Sequence, residues 1–192
     1  MMEPAAPLST AAARAHLSSA WAAITGRAPS SATASVLTAH WALETDAGRC
    51  MPGRNFAGIK ASAAAPGNAL STREGFGPAE HQVTAKFRRY ESFEAGAHDY
   101  VSLLSARYPE ALAAAARGDI DGFGHALAKG GYFTADPRVY GAGLARRFRE
   151  LDGSPKTAAP APPMSTALGG VLSPLLISRS ASALSFIIGE DP

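Results

Sequence analysis

The sequence lacks several features that would each point to a different class of protein. It contains one cysteine, Cys50, so no intramolecular disulfide can form. It has a net charge of only +2 and no long basic run, which argues against nucleic acid as a partner. No stretch is long and apolar enough to span a bilayer, and residues 1–7 lack the basic and apolar regions of a secretory signal peptide. The five histidines have no metal-ligand spacing, so we expect no metal and no cofactor.

Large apolar side chains are also scarce. Hydrophobic residues make up 46% of the chain, but much of that share is alanine, and 19 glycines and 14 prolines imply substantial loops. Helical periodicity is present before residue 49 and after residue 87, with an irregular segment between them. We therefore predict one domain over residues 9–152, a Pro/Ala/Ser-rich linker over 153–170, and an apolar C-terminal tail over 171–192.

Helix boundaries are marked by local signals. Ser9 or Thr10 is expected to cap a first helix that ends at Gly26, and Ser30 or Ser31 a second. Further helix starts are predicted at the residues that combine a cap with a following apolar stripe or a first-turn proline, namely Ser92, Pro109, Asp119 and Asp136-Pro137. Inside the irregular segment, short strands are predicted at Phe56–Lys60 and Gln82–Phe87.

The second helix ends in a carboxylate on an apolar face. Leu37, Trp41 and Glu44 are spaced i, i+4 and i+7, so Glu44 continues the apolar stripe, and Gly48 follows as a stop. Desolvation and the negative end of the helix dipole should both raise the pKa of such a carboxyl. A general acid is one interpretation, and a local cap or ion pair at a frayed helix end is the other.

Short motifs follow one another in a characteristic order. They are Ala42-Leu43-Glu44-Thr45 followed by Gly48, Asn55-Phe56-Ala57-Gly58-Ile59-Lys60, Thr72-Arg73-Glu74, Phe87-Arg88-Arg89-Tyr90-Glu91-Ser92-Phe93, Asp99-Tyr100-Val101, and Gly131-Tyr132-Phe133-Thr134 with Tyr140 and Leu144. Together, over roughly residues 36–148, they resemble the glucosaminidase domain of glycoside hydrolase family 73. That family includes the hydrolase half of flagellar rod-cap proteins, phage endolysins and autolysins. The second motif departs from the family signature by one residue fewer before Phe and an alanine after it, and the Asp-Pro spacing near the end also differs.

The resemblance implies a lysozyme-like fold, mainly α with a small inserted β-lobe that forms a substrate cleft. It also implies a peptidoglycan hydrolase that cleaves β-1,4 glycosidic bonds as an endo-β-N-acetylglucosaminidase. Glu44 is then the catalytic acid, and Glu74 matches the assisting carboxylate of the lobe. Glu80 competes with Glu74 for the second role.

The same resemblance suggests which residues bind the glycan strand. Tyr132 follows a glycine pair and is expected at the cleft wall as a substrate contact, although a core tyrosine with a satisfied hydroxyl is the alternative. Asn55 is expected either to hold its loop or to bind a sugar amide. Phe56, Gly58 and Ile59 match the lobe's inner packing and backbone contacts to substrate.

Other functions remain open at this point. A lytic transglycosylase would act on the same substrate, and a non-catalytic wall-binding or assembly protein of a phage, injection or flagellar machine would use the tail at 171–192 to dock a protein partner. Action in the periplasm or cell wall, without a classical signal peptide, implies delivery by a phage particle, an injection device, flagellar export or a holin.

Overall fold

The computed structural model describes residues 7–62, 64–74 and 81–152. The predicted linker, the apolar tail and Glu80 lie outside these residues. Six helices form most of the described chain, namely α1 (Thr10–Thr25), α2 (Ser31–Glu44), α3 (Phe93–Arg107), α4 (Pro109–Ala116), α5 (Ile120–Lys129) and α6 (Pro137–Asp152). A two-stranded sheet, β1 (Gly67–Glu74) and β2 (His81–Arg88), lies between α2 and α3 in the sequence. The predicted fold class, mainly α with an inserted β-lobe, is confirmed.

Helix α2 is the central helix of the domain. It packs against α1, α4 and α6, and nearly all of its residues from Thr33 to Glu44 are buried. Its many small and polar buried residues, such as Ala34, Ser35 and Ala39, allow neighbouring helices to approach on several sides. A helix buried all round holds its last residue, Glu44, inside the protein rather than at the surface.

The predicted caps are present at the helix starts. The hydroxyl oxygens of Ser9, Ser30 and Ser92 accept backbone N–H bonds from the first turns of α1, α2 and α3, and the Asp119 carboxylate does the same for α5. Pro109 occupies the first position of α4. Because each cap depends only on neighbours within three residues, these boundaries follow directly from the sequence.

The irregular segment differs from its prediction in two respects. Strand β2 confirms the piece predicted at Gln82–Phe87, but Phe56–Lys60 is not a strand. It is a turn that joins the sheet through an isolated bridge between Lys60 and Phe87 and through hydrogen bonds from Arg88. The actual partner of β2 is the polar strand β1, which pairs with it in antiparallel register from Gly67 opposite Arg88 to Glu74 opposite His81.

The base of the hairpin is attached to the helical part. Arg88 forms an ion pair with Asp99 of α3 at 3.0 Å, and the Tyr90 hydroxyl donates a hydrogen bond to the same carboxylate. Phe87 is buried at this end of β2. The lobe is therefore anchored at its base, and β1 and β2 extend away from this anchor. Among the described residues, no helix combines the length and the apolar character needed to cross a membrane.

Candidate active site

Glu44 is the last residue of α2 and lies inside the domain. Only 4% of its surface is exposed. The helix ends there because Thr45 takes a non-helical conformation and because Asp46, Ala47 and Gly48 all have positive φ. The Thr45 hydroxyl closes this end by donating to the Trp41 carbonyl at 2.7 Å and accepting from the Gly48 N–H at 3.0 Å. The chain therefore turns sharply after Glu44, as the glycine stop predicted.

The two oxygens of the Glu44 carboxyl have different surroundings. Oε1 accepts a hydrogen bond of 2.6 Å from the hydroxyl of Tyr140 in α6. Oε2 is equally buried, and within the described part of the chain it has no hydrogen-bond partner. A buried polar atom without a partner is uncommon in native proteins and is often found where a ligand or a reaction needs it. Oε1 is thus fixed by a hydrogen bond, and Oε2 can interact with a ligand.

His40 lies one turn before Glu44 on the same helix and is completely buried. Its Nε2 is 2.7 Å from the Tyr140 hydroxyl and 3.4 Å from Glu44 Oε1. Its Nδ1 is 2.5 Å from the hydroxyl of Tyr100 in α3. Side chains from three helices, Tyr100, His40, Tyr140 and Glu44, therefore form one continuous polar chain, which we call the Glu44 network.

The tyrosines of this region keep their protons. Burial raises the pKa of Tyr100, Tyr132 and Tyr140 well above the usual tyrosine value, and the charge of Glu44 raises each further. A protonated tyrosine hydroxyl carries one hydrogen to donate. Tyr140 therefore acts as the hydrogen-bond donor to the carboxyl of Glu44.

Tyr132 lies beside this network without joining it. It is fully buried, its ring stands edge-on to His40 at 5.1 Å between centroids, and its hydroxyl donates to the Ala57 carbonyl at 3.1 Å. The hydroxyl thus joins the loop after α5 to the turn before the hairpin. In this arrangement Tyr132 is a buried tyrosine with a satisfied hydroxyl, and a direct contact with substrate stays a prediction.

Asn55 organises the turn that precedes the hairpin. Its side-chain amide donates to the carbonyls of Ile59 at 2.9 Å and Arg88 at 3.1 Å, while its oxygen accepts from the Ile59 N–H at 2.9 Å. Phe56 and Ile59 are buried, and Gly58, with φ of 60°, is partly exposed. The Asn55 side chain thus bonds the turn internally, and substrate contacts by these four residues are untested.

For Glu74, the candidate second carboxylate, the structure describes the backbone position. Glu74 is the last described residue of β1 and lies opposite His81, at the end of the hairpin away from its anchored base. Its assignment as the assisting carboxylate therefore stays a prediction.

Three residues of the network, His40, Tyr100 and Tyr140, were missed as functional candidates in the sequence. His40 is four residues before Glu44, a spacing that places both on one helix face, and this was the available signal. The spacing of Tyr140 to Leu144 and Phe148 predicts a core residue, and Tyr140 is buried, with its ring stacked on Phe133 at 3.8 Å between centroids. Its hydroxyl, however, contacts Glu44.

A small charged cluster lies next to the end of α2. Asp46 accepts hydrogen bonds from Arg49 at 2.6 Å and from Arg147 of α6 at 3.2 Å. These two guanidinium groups lower the pKa of the Asp46 carboxyl, the bond from Arg49 most of all. Asp46 is therefore an ionised partner for arginines. In residues 7–62, 64–74 and 81–152, no cluster of three or more His, Cys, Asp or Glu side chains could hold a metal ion.

Comparison with known proteins places this site in a family. The glucosaminidase family model, described as mannosyl-glycoprotein endo-beta-N-acetylglucosaminidase, matches residues 12–153. No curated protein matches the chain.

Solved structures agree with the family match. A mutant peptidoglycan hydrolase from Sphingomonas sp. A1 is similar at 27% identity and a TM-score of 0.54, over 73% of this chain and 96% of that one. A truncated glycoside hydrolase domain of FlgJ from Salmonella typhimurium is similar at 28% identity and a TM-score of 0.52, over 75% and 98% of the two chains. The catalytic domain of the autolysin Auto from Listeria monocytogenes, at 21% identity and a TM-score of 0.51 over 78% and 88%, shares the fold. The chain therefore belongs to the glucosaminidase family, glycoside hydrolase family 73, and is a glycoside hydrolase.

Proposed function

We propose that this protein is a peptidoglycan hydrolase that cleaves the β-1,4 bonds of glycan strands as an endo-β-N-acetylglucosaminidase, with Glu44 as its general acid. Family membership and the similar Salmonella glycoside hydrolase domain support the reaction class, and the similar Sphingomonas peptidoglycan hydrolase supports the substrate class. The single observation that carries the assignment of Glu44 is its buried carboxyl, with Oε1 held by Tyr140 and Oε2 without a partner among the described residues.

Proton donation follows from the difference between the two oxygens. Because Oε1 accepts the Tyr140 hydrogen bond, the acidic proton of Glu44 is carried on Oε2. In the reaction this proton passes to the glycosidic oxygen as the bond from that oxygen to C1 breaks, and positive charge develops on the sugar. Glu44 is left as a carboxylate whose Oε1 still accepts from Tyr140. The hydrogen bond therefore serves both protonation states.

A water molecule completes the hydrolysis. It adds its hydroxyl to C1 and gives up a proton, for which a second carboxylate is the natural acceptor. We assign this role to Glu74, whose position at the far end of the hairpin is compatible with a lobe that borders a cleft. Glu80, which lies outside the described residues, is the alternative, and the two are separated by variants of each.

The turn at 55–60 is proposed as the wall that connects the lobe to Glu44. The bond from Tyr132 to Ala57 fixes this turn beside the ring of His40, and Phe56 packs near Trp41 of α2 at 6.4 Å between centroids. Partly exposed Gly58 then offers its backbone to the acetamido groups of the glycan. Asn55 and Ile59 support this role by holding the shape of the turn.

Because peptidoglycan lies in the periplasm or cell wall, the proposed substrate implies that the protein acts there. Delivery by a phage particle, an injection device, flagellar export or a holin is compatible with this proposal. We retain residues 171–192 as a proposed docking segment for a protein partner. Deletion of this segment should leave digestion of purified peptidoglycan intact while abolishing delivery.

Product analysis of purified peptidoglycan tests the function. Digestion by the wild-type protein should give reducing N-acetylglucosamine ends in mass spectra. Products with 1,6-anhydro ends would instead identify a lytic transglycosylase, and binding without any cleavage would identify a wall-binding or assembly protein. Glu74→Gln and Glu80→Gln, compared side by side, decide the second carboxylate, because only the variant of the functional one should lose most of the activity.

A further inference from the structure

The Glu44 network contains more groups than proton donation needs. Beyond Glu44 and Tyr140 it includes His40 and Tyr100, which are both fully buried and neither of which reaches the carboxyl through a short hydrogen bond. Burying an imidazole and a phenol is unfavourable unless their polar atoms are paired. Tyr100 is paired with His40, and His40 is paired with Tyr140, so the arrangement of these two side chains affects the hydrogen bond from Tyr140 to Glu44.

The direction of each bond can be assigned from the number of hydrogens. Tyr140 has one hydroxyl hydrogen, and it donates that hydrogen to Glu44 Oε1. Toward His40, 2.7 Å away, the Tyr140 oxygen must therefore accept, so His40 Nε2 carries a hydrogen. On a neutral imidazole Nδ1 is then a lone pair, and it accepts the hydroxyl hydrogen of Tyr100.

We propose that Tyr100 holds His40 in its Nε2–H tautomer, and that His40 thereby directs the Tyr140 hydrogen bond to Glu44 Oε1 and leaves Oε2 for the substrate. This proposal rests on the function assigned to Glu44 above. His40 and Tyr100 are positioning residues in it, since they act on the carboxyl through Tyr140.

The opposite tautomer would undo this arrangement. With a hydrogen on Nδ1, the Nε2 lone pair would compete for the Tyr140 hydrogen at 2.7 Å, against the carboxyl at 2.6 Å. Glu44 would then lose its donor, and Oε1 and Oε2 would become equivalent. Tyr100 prevents this because its own hydrogen needs the Nδ1 lone pair as acceptor.

Among the described residues, the other polar atom near a His40 nitrogen is Glu44 Oε1, 3.4 Å from Nε2, and it too would accept from an Nε2–H. The ring of Phe123 from α5 stands edge-on at 5.2 Å, and the ring of Tyr132 stands edge-on at 5.1 Å with its hydroxyl committed to Ala57. The titratable groups that face His40 are Tyr100 from α3, Tyr132 from the loop after α5, Tyr140 from α6 and Glu44 from its own helix.

The tautomer of His40 is measured directly by nitrogen NMR. We expect wild-type protein to give a protonated-type shift for His40 Nε2 and a lone-pair-type shift for Nδ1, with the His40→Gln spectrum identifying the signals among the five histidines. Tyr100→Phe should give a mixture of tautomers. A wild-type Nδ1–H tautomer, or a tautomer unchanged in Tyr100→Phe, would overturn the proposal.

Kinetics on soluble glycan fragments add a second measurement. Tyr100→Phe removes one hydrogen bond and should lower kcat by roughly twofold to tenfold with KM unchanged. His40→Gln retains an N–H for Tyr140 and should keep more activity than His40→Leu. Tyr108→Phe is the matched control, because its hydroxyl is outside the network, and it should retain wild-type kcat. Equal kcat for Tyr100→Phe and Tyr108→Phe would contradict the proposal.

Failure of this proposal and failure of the proposed function give different results. If Glu44→Gln abolishes cleavage while Tyr100→Phe keeps the wild-type tautomer and kcat, only the positioning role is wrong. If Glu44→Gln cleaves normally, the assignment of Glu44 is wrong whatever the tautomer. A purely structural role for Tyr100 would lower the melting temperature without changing the His40 shifts.

Discussion

Removal of the Tyr140 hydroxyl tests the geometry of the acid most sharply. Tyr140→Phe keeps the ring and its stacking on Phe133 at 3.8 Å, but it deletes the donor to Glu44 and the acceptor for His40. A hydrogen bond to a charged group contributes about 1.5–3 kcal/mol and one between neutral groups about 0.5–1.5 kcal/mol. We therefore expect the free energy of unfolding to fall by about 2–4.5 kcal/mol.

Activity should fall in the same variant. If the bond to the carboxyl is needed to position the acid, losing about 1.5–3 kcal/mol of it lowers kcat by roughly 10- to 150-fold. Urea denaturation measures the stability change, and cleavage of soluble glycan fragments at a temperature where the variant is folded measures kcat. A folded Tyr140→Phe protein with wild-type kcat would refute the positioning of Glu44 by Tyr140. Tyr108→Phe again serves as the control for loss of a tyrosine hydroxyl.

Three further predictions concern the segments around the site. Gly48→Ala should lower stability by at least about 1 kcal/mol, because φ is +83° and a Cβ would lie 2.5 Å from the Leu8 carbonyl oxygen. Asn55→Ala should lower stability by about 1–3 kcal/mol and speed hydrogen exchange in its turn, because buried backbone groups lose their partners. Asp46→Asn should destabilise the protein more at pH 7 than at pH 2.5. The pKa of Asp46 is lowered in the folded state, chiefly by Arg49, so its contribution exists above the unfolded value of about 4 and is lost as pH falls.

Each of these predictions has a result that would contradict it. Unchanged urea midpoints for Gly48→Ala would mean that the turn after α2 relaxes freely. Asn55→Asp, which keeps the acceptor and loses the donors, should fall between wild type and Asn55→Ala, and any other order would disagree with the assigned bonds. For Asp46→Asn, a melting-temperature difference that is the same at both pH values, or that 1 M salt does not reduce, would exclude the ion pairs as its cause.

Local signals predicted the helices well because their causes are local. A serine cap such as Ser30 needs only the N–H of a residue three positions later. Pro109 favours the first position of a helix because its own ring fixes φ at a helical value. The turn at Phe56–Lys60 was predicted wrongly as a strand because its apolar residues suggested one. The Asn55 side chain instead bonds the backbone groups that a strand would have offered to a neighbour.

The site was predicted in part, for a physical reason. Glu44 was found because its helix alone places it on an apolar face and because the surrounding motif resembles that of a known family. Its partner Tyr140 lies 96 residues away in the chain, and Tyr100 lies 60 residues from His40, so both contacts exist only through helix packing. The helical spacing of Tyr140 correctly predicts that it is buried, but burial alone does not identify the hydrogen-bond partner of its hydroxyl.

Digestion of purified peptidoglycan by Glu44→Gln tests the central claim most directly. The amide oxygen of glutamine can still accept from Tyr140, so the variant should fold, while its amide nitrogen has no acidic proton to donate from the position of Oε2. Glu110→Gln, at an exposed carboxylate paired with Lys129, is the control and should digest normally. In water labelled with oxygen-18, wild type and Glu110→Gln should place the label on new reducing N-acetylglucosamine ends, and Glu44→Gln should release none. Labelled ends from Glu44→Gln at the wild-type rate would contradict the account.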